Sequence, residues 1–308
     1  MNTVKIYAPA TIGNVGPGFD VLGLAIKGMG DTIEATKIEG QDIIIDAIHN
    51  ADSDISTDPE KNTAGIAARE AMNLLGIEKG VRLSIYKGLP SGGGLGSSAA
   101  SAAGGAYAIH ALFGKSLSSD QLLQAAMAGE SSVSGGYFAD NVAPAIFGGA
   151  TLTQSLDPLE ITPLGTISEL IIILAIPKVQ VLTRESRKVI PNQVELSDCI
   201  HNMANTASIT AAFSKNDYSL IKNNLYDYII EPRRAKLIPG FSSVKEATLD
   251  AGADGMTISG SGPTVFAITN KENKAQAIES AMANAFANHG IECRTLITTP
   301  SETGTKII

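Results

Sequence analysis

Cysteine is scarce. Cys199 and Cys293 are the only two in 308 residues, they lie far apart, and no C-x-x-C is present. His49, His110, His201 and His289 are as isolated, so zinc is not expected, and both cysteines should be reduced core or surface residues. Positive charge is in deficit: 23 lysines and arginines against 31 acids leave a net charge of −8. That argues against nucleic acid or an anionic membrane as partner. An anionic substrate would need positive charge gathered locally. No apolar run approaches the ~18 residues of a membrane span, and the first residues lack the basic and apolar regions of a secretory signal. A cytoplasmic protein is expected. Against these absences stand 44% hydrophobic and 18% charged residues, a globular composition with room for one large or two ordinary domains.

Glycine is abundant where it matters. Residues Pro90, Ser91, Gly92, Gly93, Gly94, Leu95, Gly96, Ser97 and Ser98 lead into an alanine-rich run. The preceding Val81, Leu83 and Ile85 alternate as in a strand, so the context is strand, loop, helix. Clustered glycines expose backbone N–H groups, and a helix N-terminus adds about half a positive charge, which suits a phosphate chain. A Walker loop is excluded because no lysine follows the glycines. Gly94 to Ala99 fit G-x-G-x-x-A, yet no second strand ending in an acid follows about 20 residues on, so the dinucleotide fingerprint also fails. A plain packing turn remains the bland alternative.

In chain order, Val4 to Ala8 predict a first strand, and Pro9 to Asp20, dense in Gly, Pro and Asn, an irregular loop. Strands are expected at Val21 to Ile26, Thr32 to Lys37 and Asp42 to Ile48. Asn62 should cap a helix from Thr63 to Leu75, closed by Gly76, and Ser118 with Gln121 a helix reaching about Glu130. Glu130 ends an apolar turn with no adjacent cation, so it needs a partner such as a hard metal ion. Leu156 to Ser168 reads as a linker, dividing the chain into domains 1–165 and 166–308. The second half predicts a buried strand at Leu170 to Ile176, helices at Leu196 to Ser214, Asp217 to Leu225 and Ser243 to Asp250, and two strands around Gly260 to Pro263. Ser243 with Glu246 reads as a capping box. A helix from Lys274 to Asn288 and a last strand from Glu292 to Thr298 complete a split βαβ plan, with an antiparallel sheet and helices on one face.

Three segments, PATIGNVGPGFDVLG, PSGGGLGSSAA and TISGSGPTVFAI, resemble in order and spacing the three motifs of the GHMP small-molecule kinases. Within that superfamily the first motif, with ADNVAPAIFGG, TRESRKVIP and EPRRAKLIPGF, resembles the homoserine kinase family, over nearly the whole chain. The resemblance implies an α+β, two-domain fold: an N-terminal half like the second domain of ribosomal protein S5, then a ferredoxin-like half. It implies transfer of the γ-phosphoryl of ATP, with Mg²⁺, to the side-chain hydroxyl of L-homoserine, and a homodimer. Ser98 and Glu130 should hold Mg²⁺ and phosphate, with Asn62, Lys87 and residues 90–98 around the nucleotide. Asn14, Asp20 and Asp140 should meet the substrate ammonium, Arg187 and Arg234 its carboxylate, with Gly260, Ser261 and Gly262 closing over it or supporting the first motif, and Asn141 orienting the hydroxyl. Direct transfer is expected, with Asp140 as general base the alternative. Two positions depart from the family's usual pattern: Ile12 puts an apolar side chain near the site, and Phe138 replaces a histidine that would bond the substrate. A different hydroxylated substrate, or a non-catalytic nucleotide-binding regulator, stays open beside homoserine.

Overall fold

The computed structural model describes residues 2–114, 116–134, 136–181 and 183–308, of which 133, 134, 183 and 184 are described by backbone alone. The first half runs β1 (Thr3–Gly13), β2 (Leu22–Ile38), β3 (Ile43–His49), α1 (Thr63–Leu75), β4 (Gly80–Tyr86), α2 (Ser97–Phe113), α3 (Ser119–Ser134), α4 (Val142–Phe147), β5 (Ala150–Leu156) and β6 (Leu159–Gly165). The second runs β7 (Ile171–Pro177), α5 (Thr183–Lys188), α6 (Leu196–Lys215), α7 (Tyr218–Asn224), α8 (Glu231–Arg234), a 3₁₀ turn (Ala235–Leu237), α9 (Phe241–Asp250), β8 (Gly255–Ile258), β9 (Val265–Thr269), α10 (Glu272–Asn288), β10 (Cys293–Thr298) and β11 (Lys306–Ile307).

The first sheet has the order β11-β1-β2-β4-β3, and β5 pairs with β2 and β6. Only β3 and β4 run parallel among its pairs. Two of the expected strands are one: β2 continues from Leu22 to Ile38 through a bulge, where its register against β1 jumps between Pro9 and Ala10. Gly28 takes φ +83° there, and a Cβ on Gly30 would stand 2.3 Å from the Ala8 carbonyl oxygen. The bulge bends β2, so its first residues pair with β5 and its last with β4. The expected linker is also strand. Leu159–Gly165 returns along β5 as a hairpin.

Alanine packs the helices against this sheet. Ala64, Ala67, Ala68 and Ala71 of α1 meet Ala99, Ala102, Ala103 and Ala106 of α2 in one core with Ile6, Ile33, Leu83 and Ile85. Side chains this small let backbones touch: a Cβ on Gly105 would lie 2.3 Å from the Ala64 carbonyl oxygen. The start of α2 is thereby fixed against its neighbours. Asn62 caps α1 as expected, accepting from Ala64 N and Gly65 N at 3.0 and 3.4 Å. Ser118 and Gln121 exchange both bonds of a capping box. The helix they start runs past Glu130 to Ser134, so Glu130 is within a helix and not at its end. Ser243 and Glu246 do not cap α9, because that helix starts at Phe241 behind Gly240, whose φ is +78°.

The second sheet is antiparallel in the order β10-β7-β9-β8. With α9 and α10 it completes the ferredoxin-like plan. Both of its faces are covered, not one. Ile173, Ala175, Val265 and Ala267 face α9 and α10. The alternate residues Ile172, Leu174, Phe266 and Ile268 face α6, α7 and residues Ile12, Leu24 and Leu95 of the first half. That second core joins the halves.

Candidate active site

A cleft of about 650 Å³ opens where the three glycine segments meet. The segments are stitched together by main-chain groups. Thr11 N donates to the Leu95 carbonyl (3.1 Å), Gly260 N to Gly13 (3.0 Å) and Thr264 N to Gly93 (3.2 Å). Ser259 Oγ donates to the Gly94 carbonyl at 2.6 Å. Gly94 is glycine for this reason: a Cβ would lie 2.5 Å from the Ser259 carbonyl oxygen.

One end of the cleft is lined by the glycine loop and the start of α2. Gly92, Gly94 and Gly96 all have positive φ, and Gly96 starts α2 with no side chain capping it. The N–H groups of the first turn therefore face the cleft beside Ser97 and Ser98. Of the residues assigned to the nucleotide, Pro90 and Leu95 are not in the cleft lining, and Leu95 is part of the core. Ser91 lines the cleft and gives its N–H to the Asp52 carboxylate at 3.1 Å. Asn62 also lines it, with its amide group committed to the cap and to the Ser56 carbonyl at 2.8 Å. Lys87 also lines the cleft. It is buried on Asp31 in a close ion pair, with Ser101 Oγ at 2.9 Å and the Ser97 carbonyl at 3.0 Å. Asp31 was missed by sequence reasoning. The signal was an acid at an inward position of an alternating strand, in phase with Ile33 and Ala35.

The pKa of Glu130 is pushed up to about 7, mainly by burial, with the nearby Ser98 hydroxyl pulling the other way. A buried carboxylate and a hydroxyl beside uncapped N–H groups fit a hard cation that takes its remaining ligands from phosphate and water.

The other end gathers charge of both signs. Arg187 meets the Asp20 carboxylate in a two-pronged pair at 3.1 and 2.8 Å. Opposite ends of a ligand were expected for these two, and here they neutralise each other. Arg234 is buried, gives NH1 to the Gly260 carbonyl at 2.8 Å, and lies 5.1 Å above Phe19. Burial, with Arg187 nearby, lowers its pKa to about 10, so it stays cationic at neutral pH. Asp140 is buried and its pKa raised to about 7, first by burial and then by Asp20, against the pull of Arg187 and Arg234. Its Oδ2 accepts from Asn141 Nδ2 at 3.3 Å, and Asn141 Oδ1 accepts from Thr11 Oγ1 at 2.9 Å. Asn14 donates to the Gly260 carbonyl (2.9 Å) and accepts from Asp20 N (3.1 Å), so it ties the first segment to the third. Asn14, Val15 and Asp20 all have positive φ, strain concentrated in the loop that lines the cleft.

One of the two departures from the family pattern does not lie near the cleft as expected. Ile12 points into the core, away from the cleft. Phe138 lies under Arg187, with the guanidinium carbon 3.6 Å from the ring centroid. Of the other arginines, Arg233 is exposed, and the side chain of Arg184 lies outside the described residues.

The chain is similar to known proteins over most of its length. The family model described as GHMP kinases N terminal domain matches residues 62–149, and GHMP kinases C terminal matches residues 209–288. The homoserine kinase of Arabidopsis thaliana is 43% identical over 291 residues, 92% of this chain and 78% of that protein. The crystal structure of the Cytophaga hutchinsonii homoserine kinase superposes with a TM-score of 0.96 at 40% identity, covering 100% of this chain and 98% of that one. The L. major mevalonate kinase, 15% identical with a TM-score of 0.71 over 97% of each chain, shares the fold. The chain belongs to the homoserine kinase family of the GHMP kinases.

Proposed function

We propose that the chain transfers the γ-phosphoryl of ATP to the side-chain hydroxyl of L-homoserine, giving O-phospho-L-homoserine for threonine synthesis. One observation carries this: a single cleft joins a phosphate cradle to a cluster of two arginines and two aspartates. Homoserine has a charge of each sign and an alcohol, and the cluster offers a partner to each. The guanidinium of Arg187 or Arg234 takes the carboxylate, and Asp20 and Asp140 take the ammonium. The cradle and the start of α2 take the nucleotide phosphates. Ser98 and Glu130 would hold Mg²⁺, which would neutralise phosphate charge. Asn141, fixed by Thr11 and facing Asp140, is set to orient the hydroxyl.

Phosphoryl transfer depends on positioning and charge stabilisation more than on a strong base. Direct transfer, with the proton leaving to phosphate or solvent, remains the preferred path. The placement of β1 to β6 in one sheet and β7 to β10 in the other supports a boundary between domains 1–165 and 166–308, with β11 of the second returning to the first sheet. Family membership supports a cytoplasmic homodimer, which sedimentation would check.

The test is coupled ADP release with MgATP, offering L-homoserine beside mevalonate, shikimate, galactose and L-threonine. Turnover with homoserine alone is expected. Turnover with another alcohol would keep the chemistry and overturn the substrate. ATP-induced thermal stabilisation without turnover on any alcohol would point to a regulator instead.

A further inference from the structure

Arg187 is held from two directions. Asp20 grips its edge. Phe138 supports its face at 3.6 Å, and Phe19 lies 5.5 Å away. Its Nε is buried with no hydrogen-bond partner among the described residues. The ring reaches this place because residue 136 has no side chain: a Cβ on Gly136 would stand 2.6 Å from Phe138 Cζ and 2.7 Å from Cε2.

The two contacts differ in what they constrain. An ion pair at the edge fixes where the guanidinium fork points. A stack on the face fixes its plane and leaves it free to turn or slide within that plane. The edge now closed on Asp20 is the edge a ligand carboxylate needs. If that edge changes partner, the aromatic face keeps the cation in position meanwhile.

We propose that Phe138 is a specificity-determining residue for the carboxylate of the substrate. It holds Arg187 flat while the guanidinium passes from Asp20 to the carboxylate, which releases Asp20 to the ammonium. A zwitterion replaces the one internal pair with two. A ligand without a carboxylate opens the pair and leaves Arg187 uncompensated, so the arrangement selects against it. Phe138 acts through Arg187 and is a positioning residue. The proposal rests on the amino-acid alcohol reading above.

The test compares L-homoserine with 3-aminopropan-1-ol, the same alcohol and ammonium without the carboxylate, as alternative substrate or competitive inhibitor. Phe138→Leu keeps an apolar side chain and removes the aromatic face. It is expected to raise the homoserine KM about three- to tenfold, leaving kcat, the ATP KM and the 3-aminopropan-1-ol constant nearly unchanged. Phe138→Tyr should restore the wild-type KM. Gly136→Ala, which displaces the ring without removing it, should shift the homoserine KM in the same direction and serves if Phe138→Leu does not fold. An unchanged homoserine KM, or equal losses on both compounds, would overturn the proposal. Absence of homoserine turnover in the wild-type protein would instead overturn the functional reading, before any variant is made.

Discussion

Asp140 is a largely buried carboxylate on the cleft wall, beside Asp20, Arg187 and Arg234, with Glu130 as a further acidic neighbour. Its pKa rises from an ordinary 3.8 to about 7. Between those values the folded chain holds a proton that the unfolded chain has lost, so this group's contribution to stability falls as pH rises through that window. Asp140→Asn removes the effect. Without ligand, the variant should be more stable than wild type at pH 8, on the order of 2–4 kcal/mol, with the gain vanishing toward pH 4; urea unfolding at both pH values would show it. The same variant should raise the homoserine KM as well as lower kcat. Unchanged affinity with nearly all turnover gone would make Asp140 the general base. The four charged residues of this end were legible because each stands in a distinctive segment. Their mutual arrangement was not. Asp20 and Arg187 are 167 residues apart, and nothing local in either segment encodes a pair across that distance. Phe138 was legible only as a missing hydrogen-bond partner, because a stack depends on where the second group lies.

Helices were easier to place than strands because their end signals are local. Asn62, Gly76, Ser118 and Gln121 act on groups within a few residues of themselves. β6 was hidden: two prolines and a glycine in the surrounding stretch suggest a linker, and only the neighbouring β5 makes it a strand. Loop glycines separate in the same way into those set by backbone alone and those set by neighbours. Gly96 and Gly114 flank α2 with φ of +65° and +62°. A Cβ on Gly96 would stand 2.0 Å from Thr11 Oγ1, and one on Gly114 meets nothing within 4 Å among the described residues. Alanine at either costs about 1 kcal/mol for the left-handed backbone. Only Gly96→Ala should abolish ATP-induced thermal stabilisation and ADP release. Gly114→Ala should lower the melting temperature slightly and leave both intact. Equal behaviour of the two would show that the phosphate cradle is set by backbone freedom alone.

At the scale of the molecule, the cleft is a junction of three distant stretches. Asn14, Gly93, Gly94, Ser259, Gly260 and Thr264 hold one another through the bonds described above. ATP touching one stretch should therefore quieten all three. Hydrogen exchange with MgATP is expected to slow together at residues 11–14, 93–98 and 259–264, and slowing confined to 93–98 would contradict the linkage. The order of synthesis gives this junction another meaning. Gly94 emerges from the ribosome 165 residues before Ser259, so the growing chain carries its glycine loop with the brace still unmade. A truncated chain that lacks the third stretch is expected to gain no protease resistance from ATP. Resistance to protease in the presence of ATP is then a certificate of completion, acquired only after most of the polypeptide has been made.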